Sequence, residues 1–157
     1  KAVRDALPVL LKDFQIVHLC GKGKIDNLLL NTPGYKQFEY IKTELKDLFA
    51  MADIVISRAG ANAICELLAL KKPNILIPLP AESSRGDQLL NAASFEAQGF
   101  SMVIQEEDLT TDLLAARVQE LYFTRQSYHD AMSKSGQMDS IQTILKLIEE
   151  VQTNQKQ

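Results

Sequence analysis

The chain has 157 residues, 46% hydrophobic and 24% charged, with a formal net charge of −3. That is one globular domain with enough chain for a continuous core, and the slight acid excess excludes the basic stripe of a nucleic-acid binder. Two cysteines, Cys20 and Cys65, and two histidines, His18 and His129, exclude a disulfide framework and a His/Cys metal cluster, so neither metal nor cofactor is expected.

In chain order, Ala2–Asp13 reads as a helix with Val3, Leu7, Leu10 and Leu11 on its apolar side and Pro8 as a possible kink. Phe14–Cys20 is a strand, Gly21–Gly23 a turn, and Ile25–Leu30 a short helix closed by Asn31-Thr32-Pro33-Gly34. Phe38–Ile41 is a second strand. Thr43 is expected to cap a helix running through Ala52, with Glu44 and Asp47 in its early turns. Asp53–Ser57 is a third strand, and Ala61–Leu70 a helix ended by Lys71-Lys72-Pro73. Asn74–Pro78 is a fourth strand. A polar loop, Ala81–Gly86, leads to a helix over Asp87–Gln98 that Gly99 stops. Ser101–Gln105 is a fifth strand, followed by helices at Thr111–Lys134 and Asp139–Thr153 and a frayed tail, 152–157.

Short apolar strands alternating with helices predict an α/β fold: a Rossmann-like parallel sheet with flanking helices, buried on both faces. A doubly wound fold opens on a strand and a Gly-rich phosphate turn. This chain opens on a helix, so its first strand is expected to be missing and the sheet to show a gap. No apolar run approaches the roughly 18–20 residues of a membrane span, and Lys1 opens into a helical pattern rather than a leader. A cytoplasmic protein is expected.

Ligands of open α/β sheets bind beyond the carboxyl ends of the strands. After the third strand comes Ser57-Arg58-Ala59-Gly60-Ala61-Asn62, small residues opening a helix whose free N–H groups suit a diphosphate. Such a turn alone more often serves only packing. Glu66 lies off the apolar face formed by Ile64, Leu67 and Leu68, where a carboxylate can accept two hydrogen bonds from a ribose diol; otherwise it is a solvated helix residue. After the fourth strand, Asp87 and Gln88 open a helix. Asp87 can be only a cap, or the pair can supply the acceptors and donors that sugar hydroxyls require.

The stretch ADIVISRAGANAICELLALKKPNILIPLPAESSRGDQLLNAASFEAQG, with its SRAG…E…P…DQ…NA array, resembles the MurG family of GT-B glycosyltransferases, and its SRAGAN and SSRGDQ forms resemble Gram-positive versions. The likeness runs from about Lys1 to Ile148 and covers only the C-terminal half of that family. It implies a single UDP-sugar-binding domain over residues 1–157. The whole enzyme would be an inverting, metal-independent hexosyltransferase that moves N-acetylglucosamine from UDP-N-acetylglucosamine to a lipid-linked muramyl-pentapeptide in peptidoglycan synthesis. In that resemblance Ala59, Gly60 and Ala61 line the diphosphate and Glu66 binds the ribose. Asp87 and Gln88 hold the N-acetylglucosamine hydroxyls, the backbone of Ile41 pairs with uracil, and Arg58 belongs to the motif in a binding or structural role. The partners implied are the donor, the missing N-terminal domain and, through it, the lipid-linked acceptor; no catalytic residue is expected in this chain. The whole enzyme would sit peripherally on the cytoplasmic face of the cell membrane. Two other readings stand beside it: a non-catalytic UDP-sugar-binding subunit of a split transferase, and a fragment of a UDP-N-acetylglucosamine 2-epimerase, for which neither histidine lies in an expected cleft loop.

Overall fold

A computed structural model describes residues 2–135. The helix expected at Asp139–Thr153 and the tail at 152–157 lie outside the described residues. The elements are α1 (Ala2–Leu10), β1 (Ile16–Leu19), a 3-10 turn at Asn27–Leu29, β2 (Tyr35–Phe38), α2 (Leu45–Met51), β3 (Val55–Ser57), α3 (Ala61–Ala69), β4 (Asn74–Leu76), α4 (Ala81–Ser84), α5 (Asp87–Ala97), β5 (Met102–Val103), a 3-10 turn at Glu106–Asp108 and α6 (Thr111–Lys134).

All the strand pairs are parallel, as expected. β1 pairs with β2, Ile16 opposite Tyr35, while β3, β4 and β5 form a second ladder with Ile56 opposite Ile75 and Ile75 opposite Met102. Among the described residues the strands form two separate ladders, β1-β2 and β3-β4-β5. β4, in the middle of its ladder, is buried at all three positions, whereas β3 is only half-buried throughout.

The core lies on both faces of the larger ladder. On one side Ile75, Ile77, Met102 and Ile104 pack with Ala6 and Leu10 of α1 and with Leu114, Ala115, Val118 and Leu121 of α6. On the other, Leu76 packs with Ile64, Leu67 and Leu68 of α3 and Ala92 and Phe95 of α5. Adjacent strand residues point to opposite faces, so Ile75 and Leu76 serve the two layers in turn.

Helix ends follow local chemistry. α5 closes with Gly99 at φ 71; Gly99 N–H bonds to Glu96 O and Phe100 N–H to Phe95 O, while the Phe95 and Phe100 rings meet edge to face. That is a Schellman closure with its hydrophobic contact. α3 ends in the same pattern, with Lys71 and Lys72 N–H bonding to Leu68 and Leu67 O. Lys71 there takes the left-handed conformation that glycine usually supplies, at φ 51.

Three expectations are corrected. The second strand is Tyr35–Phe38, not Phe38–Ile41. Tyr35 and Gln37 are the buried positions, while Phe38 and Tyr40 are 41% and 63% exposed and face outward. Thr43 does not cap α2: Glu44 is the N-cap, and no side chain caps this helix. Thr43 stands one residue too early to reach the second or third helical N–H. The loop Ala81–Gly86 contains α4, started after Pro80, tied by Ser84 Oγ to the carbonyls of Leu79 and Pro80, and ended where Arg85 turns left-handed.

Candidate functional site at the strand ends

β3 ends at Ser57, and the chain makes one turn before entering α3. Gly60 is the N-cap of α3 at φ −67, ψ 143, without a side-chain cap on the helix. The first-turn N–H groups are therefore free of intrahelical partners and face outward with the positive end of the helix dipole. A Cβ built on Gly60 would meet nothing within 4 Å. The protein's own packing does not demand glycine there; an approaching ligand would.

The back of this turn is fixed. Ala59 is fully buried, and Asn91 Nδ2 on α5 donates to Ala59 O at 3.0 Å. The peptide unit is planar and trans, so with the Ala59 carbonyl held toward α5 the Gly60 N–H is turned the opposite way. Gln88 lies one turn earlier on α5. Its Oε1 accepts from Leu79 N–H at 3.1 Å, which ties the loop after β4 to the same helix and leaves the Gln88 amide N–H groups for a ligand. Asp87 is exposed as the first residue of α5. Arg85 and Gly86, at φ 55 and 85, turn the chain sharply before it.

Glu66 is exposed on α3 while Ile64, Leu67 and Leu68 are buried, the division expected from the helical period. Six residues separate it from Gly60, about 9 Å along the helix. Among the described residues it makes no ion pair. Ile41 follows β2 by three residues and is half-buried. Ala59–Ala61 and Gln88 are thus brought to one edge, the carboxyl ends of β3 and β4. Ile41 belongs to the end of the other ladder, and no hydrogen bond connects it or Glu66 to the rest.

Arg58 is engaged within the protein. Its Nη1 donates to Glu106 Oε2 at 2.7 Å and to Ile77 O at 3.2 Å, and its Nη2 donates to Glu106 Oε1 at 3.1 Å. The fork matches both carboxylate oxygens, and this guanidinium holds the Glu106 carboxyl below the usual carboxylate range. Glu106 and the positioning contact of Asn91 were not singled out from sequence. Asn91 stands in the NA of the quoted array, three residues after Gln88, a spacing that could have flagged it. Glu106 carries no such signal, because 48 residues separate it from Arg58.

A cavity of about 520 Å³ lies elsewhere, along β5 between α5 and α6. None of the candidate residues lines it, and its Arg117 and Glu120 already pair at 2.7 Å. The strand-end loops, with free helix-start N–H groups and the exposed carboxylates of Glu66 and Asp87, are the better candidate.

Comparisons with known proteins place the chain in a family. The family described as glycosyltransferase family 28 C-terminal domain matches residues 1–150. A relative from Lachnospira eligens is 64% identical over 149 residues, 95% of this chain and 42% of its own length. One from Geobacillus thermodenitrificans is 55% identical over 148 residues, 94% of this chain and 42% of its own length. Both are named UDP-N-acetylglucosamine–N-acetylmuramyl-(pentapeptide) pyrophosphoryl-undecaprenol N-acetylglucosamine transferase. The chain therefore spans well under half the length of these relatives. The crystal structure of MurG from Acinetobacter baumannii aligns with a TM-score of 0.69 at 22% identity, covering 95% of this chain and 46% of that one, a likeness of fold.

Proposed function

Since the chain belongs to the glycosyltransferase family 28 C-terminal domain family, we propose that it is the donor-binding half of a transferase that moves N-acetylglucosamine from UDP-N-acetylglucosamine to a lipid-linked muramyl-pentapeptide. The observation that carries this reading is the turn before α3: open space at Gly60, free N–H groups on the helix and a carbonyl held back by Asn91. A diphosphate is the ligand for which such a backbone is built.

From there the donor extends along named residues. Gly60 and Ala61 line the diphosphate, with the buried Ala59 behind them as the anchor of the turn; Glu66, further along α3, accepts from the ribose; Asp87 and the free amide of Gln88 meet the sugar hydroxyls. The backbone of Ile41 reads the base, and Arg58 supports the turn. During transfer the acceptor hydroxyl oxygen bonds to sugar C1 and passes its proton to a base while the bond from C1 to the diphosphate breaks, and negative charge grows on the leaving oxygen. Preoriented N–H donors stabilise that charge without reorganising, so transfer proceeds without a metal. The acceptor and the general base belong to the other half of the enzyme. Among the described residues no helix is long and apolar enough to cross a membrane; the whole enzyme reaches its lipid-linked acceptor as a peripheral protein on the cytoplasmic face.

The test is a transfer assay with full-length enzyme, labelled UDP-N-acetylglucosamine and the lipid-linked acceptor. Label should move to the acceptor, persist in EDTA, and be competed by UDP but not by ADP. No transfer, or equal competition by the two nucleotides, contradicts the reading.

A further inference from the structure

The Arg58 side chain reaches past all three strand ends of the larger ladder. It leaves the end of β3, touches the Ile77 carbonyl just beyond β4, and closes on Glu106 in the 3-10 turn that follows β5. A guanidinium presents a planar fork of donors, and here both of its Nη groups are directed to a partner that holds no place in the donor site. We infer that Glu106 is a positioning residue for the donor: through Arg58 it fixes the Ser57–Gly60 turn against the loop after β4, so that the open backbone at Gly60 is presented in one orientation.

The chemistry of the contact supports this. Both oxygens of Glu106 are used, which fixes the guanidinium plane as well as its position. The same guanidinium meets the backbone carbonyls of Ile77 and Pro78, so rotating it away to a phosphate would break four contacts at once. Asn91 holds the turn from the α5 side at Ala59 O, and Arg58 holds it from the β5 side. A turn pinned on both flanks keeps its N–H groups preoriented, the condition under which such donors act on developing charge. The pair is 46% and 40% exposed, so its effect is modest and sensitive to salt.

The inference rests on the donor reading, and the experiment separates the two. Full-length wild type is first titrated with UDP. Donor KM, acceptor KM and kcat are then measured for Glu106→Ala, Glu106→Gln, Arg58→Ala and the Arg58→Ala/Glu106→Ala double variant, with Glu107→Ala as the neighbouring control. Positioning predicts a donor KM raised about three- to tenfold in both Glu106 variants, consistent with an exposed bidentate pair. Acceptor KM should stay within about twofold of wild type, and the double variant should be no worse than Arg58→Ala alone. In high salt the gap between wild type and Glu106→Gln should narrow, while Glu107→Ala keeps the wild-type donor KM. An unchanged or lowered donor KM in both Glu106 variants overturns the role, since Arg58 would then act on the donor directly. Additive losses in the double variant overturn it as well. A wild type that ignores UDP defeats the donor reading and the inference together; a wild type that binds UDP while the Glu106 variants keep its donor KM defeats the inference alone.

Discussion

Replacing Gly60 by alanine separates folding from donor binding in a single methyl group. The φ of −67 is ordinary for alanine, and the added Cβ meets no atom within 4 Å. Alanine is a clearly poorer N-cap than glycine, by about 1 kcal/mol, while the unfolded chain loses freedom worth about 0.4–1 kcal/mol. These effects oppose each other, so stability should change by less than about 1 kcal/mol. Donor binding should change far more. A methyl on the surface that receives the diphosphate holds it off at least two N–H donors, each charge-assisted bond being worth about 1.5–3 kcal/mol. The loss is about 3 kcal/mol or more, roughly 100-fold in donor kcat/KM. Initial rates against donor concentration and a thermal melt of the same full-length preparation measure both quantities. A folded variant with wild-type donor kcat/KM refutes the diphosphate site, and a variant melting far below wild type refutes the open space at Gly60.

Other residues give independent checks. Glu66→Ala should lower donor kcat/KM roughly 100-fold by removing two charged hydrogen bonds to ribose, and Glu66→Gln should lose less because an amide oxygen still accepts; near wild-type rates in both would make Glu66 a solvated helix residue. Asn91→Ala strands the buried Ala59 carbonyl, so it should lower stability by about 1–3 kcal/mol and raise donor KM, seen as a joint shift in melting temperature and KM. His18 is paired with Tyr35 Oη at 2.8 Å. Burial first, and the charge of Arg4 second, hold its pKa below 6.5. The folded state therefore favours the neutral ring: stability is complete above 6.5 and is lost as pH falls from there through the folded value. The wild-type melting temperature should fall in that window more steeply than that of His18→Gln, and parallel curves would count against it.

The elements most legible in the sequence were those whose signals are local. Thr111 and Lys134 bound α6 as expected because Thr110 caps it, its side chain accepting from Leu113 N–H. The Ala61 start of α3 and the exposed Glu66 follow from small residues and helical period alone. The second strand was misplaced, and Phe38 and Tyr40 are exposed; its register is set by pairing to β1, with Ile16 N–H on Gly34 O. Within the site, the turn and the sugar-side residues could be read from chain order. The contacts that fix them could not, because Asn91 to Ala59 and Arg58 to Glu106 span 32 and 48 residues.

The most direct test of the donor site is the crystal structure of the full-length enzyme soaked with UDP-N-acetylglucosamine. Diphosphate density should lie against the N–H groups of Gly60–Asn62 at the start of α3, with the ribose hydroxyls within hydrogen-bond distance of Glu66 and the sugar beside Asp87 and Gln88. Donor density in the cavity between α5, β5 and α6, with the Gly60 turn empty, would contradict the account.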